Sequence, residues 1–184
     1  MNATDLIVWL PFNENVTRDI CGNVWTAHGD LKIGVNGAIR ATALQFSGKQ
    51  YLSLDDGLTL GGQDFTIRGY AYASSSMEQY ARVFEFHSGV NACRLELTNR
   101  NRGLEFYYQS VDGTEWRTVF GSGLPDTAFD FEIDYVHSES KFYLFINGQL
   151  RETLSLALKR TFLRRAGNGN NRARLYSADY FARL

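Results

Sequence analysis

Apolar and polar residues alternate with a period of two along most of this chain, and apolar stripes at the helical i, i+3, i+4 spacing are almost absent. The alternation predicts strands over residues 6–12, 43–46, 51–54, 65–73, 83–87, 94–98, 104–109, 116–120, 129–137, 141–146 and 153–158. Turn signals separate them: Ser47-Gly48, Asp56-Gly57, Gly61-Gly62, Asp112-Gly113, Pro125-Asp126 and Asn147-Gly148. Residues 179–184 alternate up to the last position and read as one more strand, either a paired strand that ends the chain or one cut short. Many short strands, only two prolines and 14% aromatic residues imply an all-β fold, a two-sheet antiparallel β-sandwich or jelly roll, with residues 1–184 as a single domain.

Because successive strand side chains point to opposite faces, the same pattern sorts residues into two sets. Phe65, Ile67, Phe84, Phe86, Leu95, Leu97, Leu104, Phe106, Phe131, Ile133, Phe142, Leu144 and Ile146 are expected inside. Arg68, Tyr70, Tyr72, Glu85, His87, Arg94, Glu96, Glu105, Tyr107, Glu132, Asp134 and Tyr143 are expected outside.

Composition narrows the function classes. A chain of 184 residues, 44% hydrophobic and 21% charged, can bury a core of its own. Its net charge of -1 gives no overall attraction to nucleic acid or an anionic membrane, so neither a nucleic-acid partner nor membrane insertion is expected. Arginines do crowd the stretch RTFLRRAGNGNNRARL, where they are expected to solvate loops. No apolar run approaches the roughly 20 residues of a membrane span, and the start, MNATDLIVWLPF, lacks the layout of a signal peptide. Cys21 and Cys93 are too few for a disulfide framework; they are expected as buried thiols or one bridge.

Several segments in order resemble the laminin G-like branch of the concanavalin A-like lectin and glucanase superfamily. They are Leu6-Ile7-Val8-Trp9-Leu10-Pro11-Phe12 followed by Asp19-Ile20-Cys21-Gly22-Asn23; Ala43-Leu44-Gln45-Phe46-Ser47-Gly48 with Tyr51-Leu52; Asp64-Phe65-Thr66-Ile67; and Phe142-Tyr143-Leu144-Phe145-Ile146-Asn147-Gly148-Gln149-Leu150. The resemblance implies a jelly-roll sandwich and a non-catalytic, lectin-like module that binds a glycan or a glycosylated surface. It also implies a calcium ion held by loop oxygens, for which Asp19 and Asn13 are the candidate ligands.

The residues supply candidate chemistry of their own. Glycan binding needs flat aromatic faces for sugar CH groups and charged or amide groups for hydroxyls. Trp116, Tyr70, Tyr72 and Tyr107, with Arg68 and Arg94, are the expected carbohydrate-binding set. Two rival readings stand beside this one. A structural or assembly domain of a virus particle or surface complex would account for an extracellular-type fold without an export signal. A glycoside hydrolase would use Glu132 and Asp134 on one strand face, but the second glutamate of such a strand is missing, because Val136 and His137 follow. The expectation is therefore a protein without catalytic activity.

Overall fold

The alternation is realised as paired strands, built so that each strand gives one face to a shared core. The computed structural model describes residues 8, 10–12, 15–36, 41–46, 50–54, 63–73, 81–88, 91–98, 103–109, 115–122, 126–156, 171–176 and 180–183; over 35–36, 41, 73, 81–82, 86–88, 91–98, 103, 121–122, 171–176 and 180–183 the description is of backbone and register. These residues form β1 (Trp25–His28), β2 (Lys32–Asn36), β3 (Ala41–Gln45), β4 (Tyr51–Leu54), β5 (Phe65–Ala73), β6 (Ala81–Ser88), β7 (Asn91–Thr98), β8 (Gly103–Gln109), β9 (Glu115–Ser122), β10 (Thr127–Val136), β11 (Lys141–Ile146), β12 (Gln149–Ser155), β13 (Asn171–Tyr176) and β14 (Tyr180–Arg183). Two seven-stranded sheets result. Sheet I runs β1-β4-β13-β6-β7-β8-β9, and sheet II runs β12-β11-β10-β5-β14-β3-β2. All pairings are antiparallel.

The inner faces meet in one apolar core. Phe84 of sheet I approaches Phe131 of sheet II with ring centroids 6.3 Å apart, and Phe106 approaches Phe142 at 4.9 Å. Full burial of such a side chain stabilises the fold by about 1.5–3 kcal/mol, and ten or more large side chains are buried this way, so packing of the two faces decides the architecture. The expected inner residues Phe84, Leu104, Phe106, Phe131, Ile133, Phe142, Leu144 and Ile146 are buried, and Phe65 and Ile67 pack against them. The side chains of Phe86, Leu95 and Leu97 lie outside the described residues.

Local chemistry fixes one register outright. Asn147 and Gly148 have φ of 50° and 71°, both in the left-handed region, and they join β11 to β12 as a two-residue turn across the Ile146–Gln149 pair. Such a turn has the twist of the flanking strands, and asparagine and glycine tolerate its backbone. The Asn147 side chain also accepts the Asp130 N–H at 2.9 Å, tying the hairpin to β10.

The fold departs from the sequence expectations in four places. The described residues of 6–12 (8 and 10–12) are not in a strand, yet Leu10 and Phe12 are fully buried: apolarity there marked burial rather than pairing. The strands β1 and β2 were not expected, because β1 is an edge strand with one buried residue, Trp25, and the short β2 carries Gly34. β12 begins directly after the tight turn, four residues before the expected 153–158. Most consequentially, the arginine-rich stretch expected to solvate loops contains β13, a central strand of sheet I. Cys21 is also corrected: it is exposed and free rather than buried or bridged.

Candidate functional site

The expected carbohydrate-binding residues do not form one site. Arg68, Tyr70 and Tyr72 alternate along β5, on the outer face of sheet II. Arg94 and Tyr107 are register partners on β7 and β8, on the outer face of sheet I, the other side of the molecule. Trp116 takes a third place. It pairs with Tyr108 in an inner row, half-buried against the core, with the two ring centroids 5.4 Å apart. Expected as an exposed aromatic, it is instead part of the packing, because the phase of β9 puts Trp116 and Phe120 on the inner face.

On sheet II the outer face is a solvated ladder of cross-strand pairs. Arg68 is ion-paired with Glu132, and the Thr66 hydroxyl donates to Asp134 at 2.6 Å. These are the partners of the two carboxylates weighed for glycoside hydrolysis. Tyr70 and Tyr72 are half-buried, and the Tyr72 phenol, 3.4 Å from Asp126, is pushed above its ordinary pKa by partial burial and by that carboxylate.

Sheet I presents a different outer face. Its register aligns Thr26, Ser53, Arg174, Glu85, Arg94, Tyr107 and Arg117 in one row across all seven strands. Inner rows such as Leu52, Leu175, Phe84 and Phe106 alternate with it, so this row lies away from the core. Yet Ser53, Glu85 and Tyr107 are only 3%, 7% and 1% exposed. Polar groups so buried on an outer face are covered by their surroundings, as the Tyr107 ring is by Arg117. Glu85 and Tyr107, expected among the exposed residues, are corrected accordingly.

The row is tied together by polar contacts at its β8–β9 end. The Tyr107 hydroxyl donates to Glu115 at 2.9 Å, and the Arg117 guanidinium lies 4.5 Å over the Tyr107 ring. Arg117 also pairs with Glu105 at 3.2 Å and Glu115 at 3.6 Å. Partial desolvation works against the Arg117 charge, but the two carboxylates and the phenol outweigh it and hold its pKa above the ordinary value. At the other end, on β1 and β4, His28 and Tyr51 stack with centroids 4.1 Å apart and planes 11° from parallel, and a His28 ring nitrogen lies 2.9 Å from the Ser53 hydroxyl.

The candidate calcium ligand Asp19 has a different set of partners. Its carboxylate accepts the Cys21 backbone N–H at 2.8 Å, the Asn23 side-chain amide at 2.8 Å and the Trp25 indole N–H at 3.0 Å. It thereby holds the turn that leads into β1 and fixes a core tryptophan. Asn13 lies outside the described residues. Among the described residues no group of three or more His, Cys, Asp or Glu side chains is arranged to hold a metal ion.

His28, Tyr51, Ser53 and Arg174 were not among the expected site residues. The alternation in Tyr51-Leu52-Ser53-Leu54 and Arg172-Ala173-Arg174-Leu175 was a usable signal, since it sets Tyr51 and Ser53, and Arg172 and Arg174, on one face each. What joins β4 to β13 and β6 is long-range pairing, which no local pattern contains.

No family model matches this chain, and no curated protein matches it. Solved structures do. Domain 4 of AbnA, a GH43 extracellular arabinanase from Geobacillus stearothermophilus, solved in complex with arabinotriose, is similar with a TM-score of 0.71 at 12% identity, over 95% of this chain and 88% of that one. The binding domain of botulinum neurotoxin DC in complex with SialylT has a TM-score of 0.70 at 12% identity, over 96% of this chain and 46% of that chain. The binding domain of botulinum neurotoxin serotype D has a TM-score of 0.66 at 13% identity, over 96% and 47%. This chain thus spans about half the length of the toxin binding domains. At such identities the likeness is one of fold, and the fold is all-β.

Proposed function

We propose that this chain is a non-catalytic carbohydrate-binding module, of the laminin G-like, concanavalin A-like jelly-roll kind, which holds a glycan on the outer face of sheet I. The observation that carries the reading is the half-exposed stack of His28 and Tyr51 beside the Ser53 hydroxyl. An aromatic face next to fixed polar groups is what a sugar needs, because hydroxyls take the polar groups and ring CH groups take the aromatic faces. A fold shared with an arabinanase domain solved with arabinotriose supports the same reading. The reading as a particle component gains no support from these likenesses.

A glycan array of the full chain, run with calcium and with a chelator, tests it. The expected result is binding to a defined glycan class that is lost in Tyr51→Ala and kept in the double variant Tyr70→Ala, Tyr72→Ala. The reverse pattern would move the site to sheet II. Absence of any glycan binding by folded protein would overturn the reading. On this reading no glycan should be cleaved.

A further inference from the structure

We infer that the sugar ring seats on the face of His28 turned away from Tyr51, at the β1 edge of sheet I, and that Gly29 and Gln50 are the positioning residues that pre-set this face. This rests on the glycan-binding reading above. His28 and Tyr51 are register partners on β1 and β4. Their ring centroids are 4.1 Å apart and their planes 11° from parallel. That separation is close to the roughly 4.8 Å between paired strands, so the rings stack across the sheet rather than along it. Tyr51 therefore covers one face of the imidazole from the β4 side. The opposite face looks past β1, the terminal strand of sheet I, which has no pairing partner beyond it among the described residues. His28 is half-buried, and its Nε2 lies 2.9 Å from the hydroxyl of Ser53, which is itself buried. The outer ring face is left for sugar CH groups, and Nδ1, which has no hydrogen-bond partner among the described residues, is left for a sugar hydroxyl.

A ring used in this way gains affinity if it is held before the sugar arrives, because ordering it on binding is costly. Ser53 fixes the rotation of the imidazole, and Tyr51 fixes its plane. The backbone beneath is held by a clasp. Directly after His28 the chain turns at Gly29, whose φ of 84° is in the left-handed region, and the Leu31 N–H donates to the Gly29 carbonyl at 3.1 Å. Gln50, directly before Tyr51, closes on this turn, its side-chain amide donating to the Asp30 carbonyl at 2.6 Å. The approach is so close that a Cβ on Gly29 would lie 2.9 Å from Gln50 Cγ. The turn that follows one ring is thus gripped by the residue that precedes the other. His28 is the last residue of an edge strand, a place where pairing on one side alone leaves the backbone open to fraying, and the clasp supplies support there.

Two NMR measurements on the full chain test the two halves of the inference. The chain has three histidines, few enough for their imidazole proton signals to be assigned one by one. In the free protein the His28 signals should lie upfield, under the Tyr51 ring current, and Tyr51→Ala should remove that shift. Gln50→Ala, and Gln50→Glu, which lacks the donor to Asp30, should each lose a large part of it while the other two histidine signals stay in place. The Gln50 variants carry this arm, since Gly29→Ala adds strain of its own. An unchanged His28 shift in both of them would overturn the positioning role. The second arm titrates the protein with lactose, maltotriose, arabinotriose and sialyllactose in turn. A sugar that binds should move the His28 signals. His28→Ala should weaken it about 10-fold, and Gln50→Glu about 3- to 10-fold, the range of one net hydrogen bond. Arg151→Gln, on the exposed edge strand β12, is the unaffected control. Binding that leaves the His28 signals in place, or that keeps full strength in His28→Ala, would overturn the seat and leave glycan binding intact. Failure of every sugar to bind, here and on the array, would sink the seat together with the glycan reading, and the spectra of the free protein would still decide the role of Gln50.

Discussion

The outer faces of the two sheets are made from the same kinds of residue and behave differently. On sheet II, Arg68 and Glu132 pair with side chains 67% and 23% exposed. On sheet I, Glu85 and Tyr107 occupy equivalent outward positions and are nearly inaccessible. Alternation supplies both faces with arginine, glutamate and tyrosine, so residue type does not separate them. The surroundings do. The Tyr107 ring is roofed by Arg117 and its hydroxyl is held by Glu115, whereas Tyr72 has a single long contact to Asp126. A polar group that is buried and partnered is fixed in place, whereas an exposed pair mainly decorates a surface.

Truncating a tyrosine on each face gives the sharpest break in that comparison. Tyr107→Ala should cost about 3 kcal/mol of stability, as for other buried aromatics cut to alanine, while Tyr72→Ala should cost less than about 1 kcal/mol. Equal costs in urea denaturation would mean that the two faces do not differ. The next largest effect concerns the turn that leads into sheet I. Asp19→Ala should lose about 2–3 kcal/mol by stranding the Trp25 indole N–H, and chelator should leave that loss unchanged if the carboxylate acts through these bonds rather than through calcium. Tyr107→Phe isolates the hydroxyl and should cost about 1 kcal/mol. The exposed pair on sheet II should matter least: Arg68→Ala should change the unfolding free energy by about 0.5 kcal/mol, and less at high salt.

One pH effect belongs to the exposed side of the comparison. Glu139 accepts from the Tyr143 hydroxyl and from Lys141, and these bonds hold its carboxyl below the ordinary pKa. A lowered folded-state pKa gives stability that is present above the unfolded value and lost as pH falls through the folded one. Melting temperature against pH should therefore show a small acid limb that disappears in Glu139→Gln.

The resemblance read in the sequence pointed to a glycan module on a jelly roll, and the two-sheet architecture agrees with the strand pattern from which it was drawn. The expected site was another matter. Its six residues divide among the outer face of sheet II, the outer face of sheet I and the inner packing of β9. Face assignments within a strand were largely right, as in Phe131, Ile133 and Glu132, because they depend on a local two-residue period. Trp116 escaped although it shares a face with Phe120 in the expected strand, because Thr118 between them weakens the apolar signal. The arginines of β13 escaped because Ala173 and Leu175 are a faint apolar signal among charges.

What the sequence determined by itself was local: the strand class, most of the inner residues, and the Asn147-Gly148 turn, whose backbone demands those residue types. What only the tertiary structure decided was adjacency. Positions 174 and 94 are far apart along the chain and are register partners of Glu85 on its two sides because β13 inserts between β4 and β6. The burial of Glu85 and Tyr107 was decided there too, since burial of an outward residue depends on neighbours brought from elsewhere in the chain.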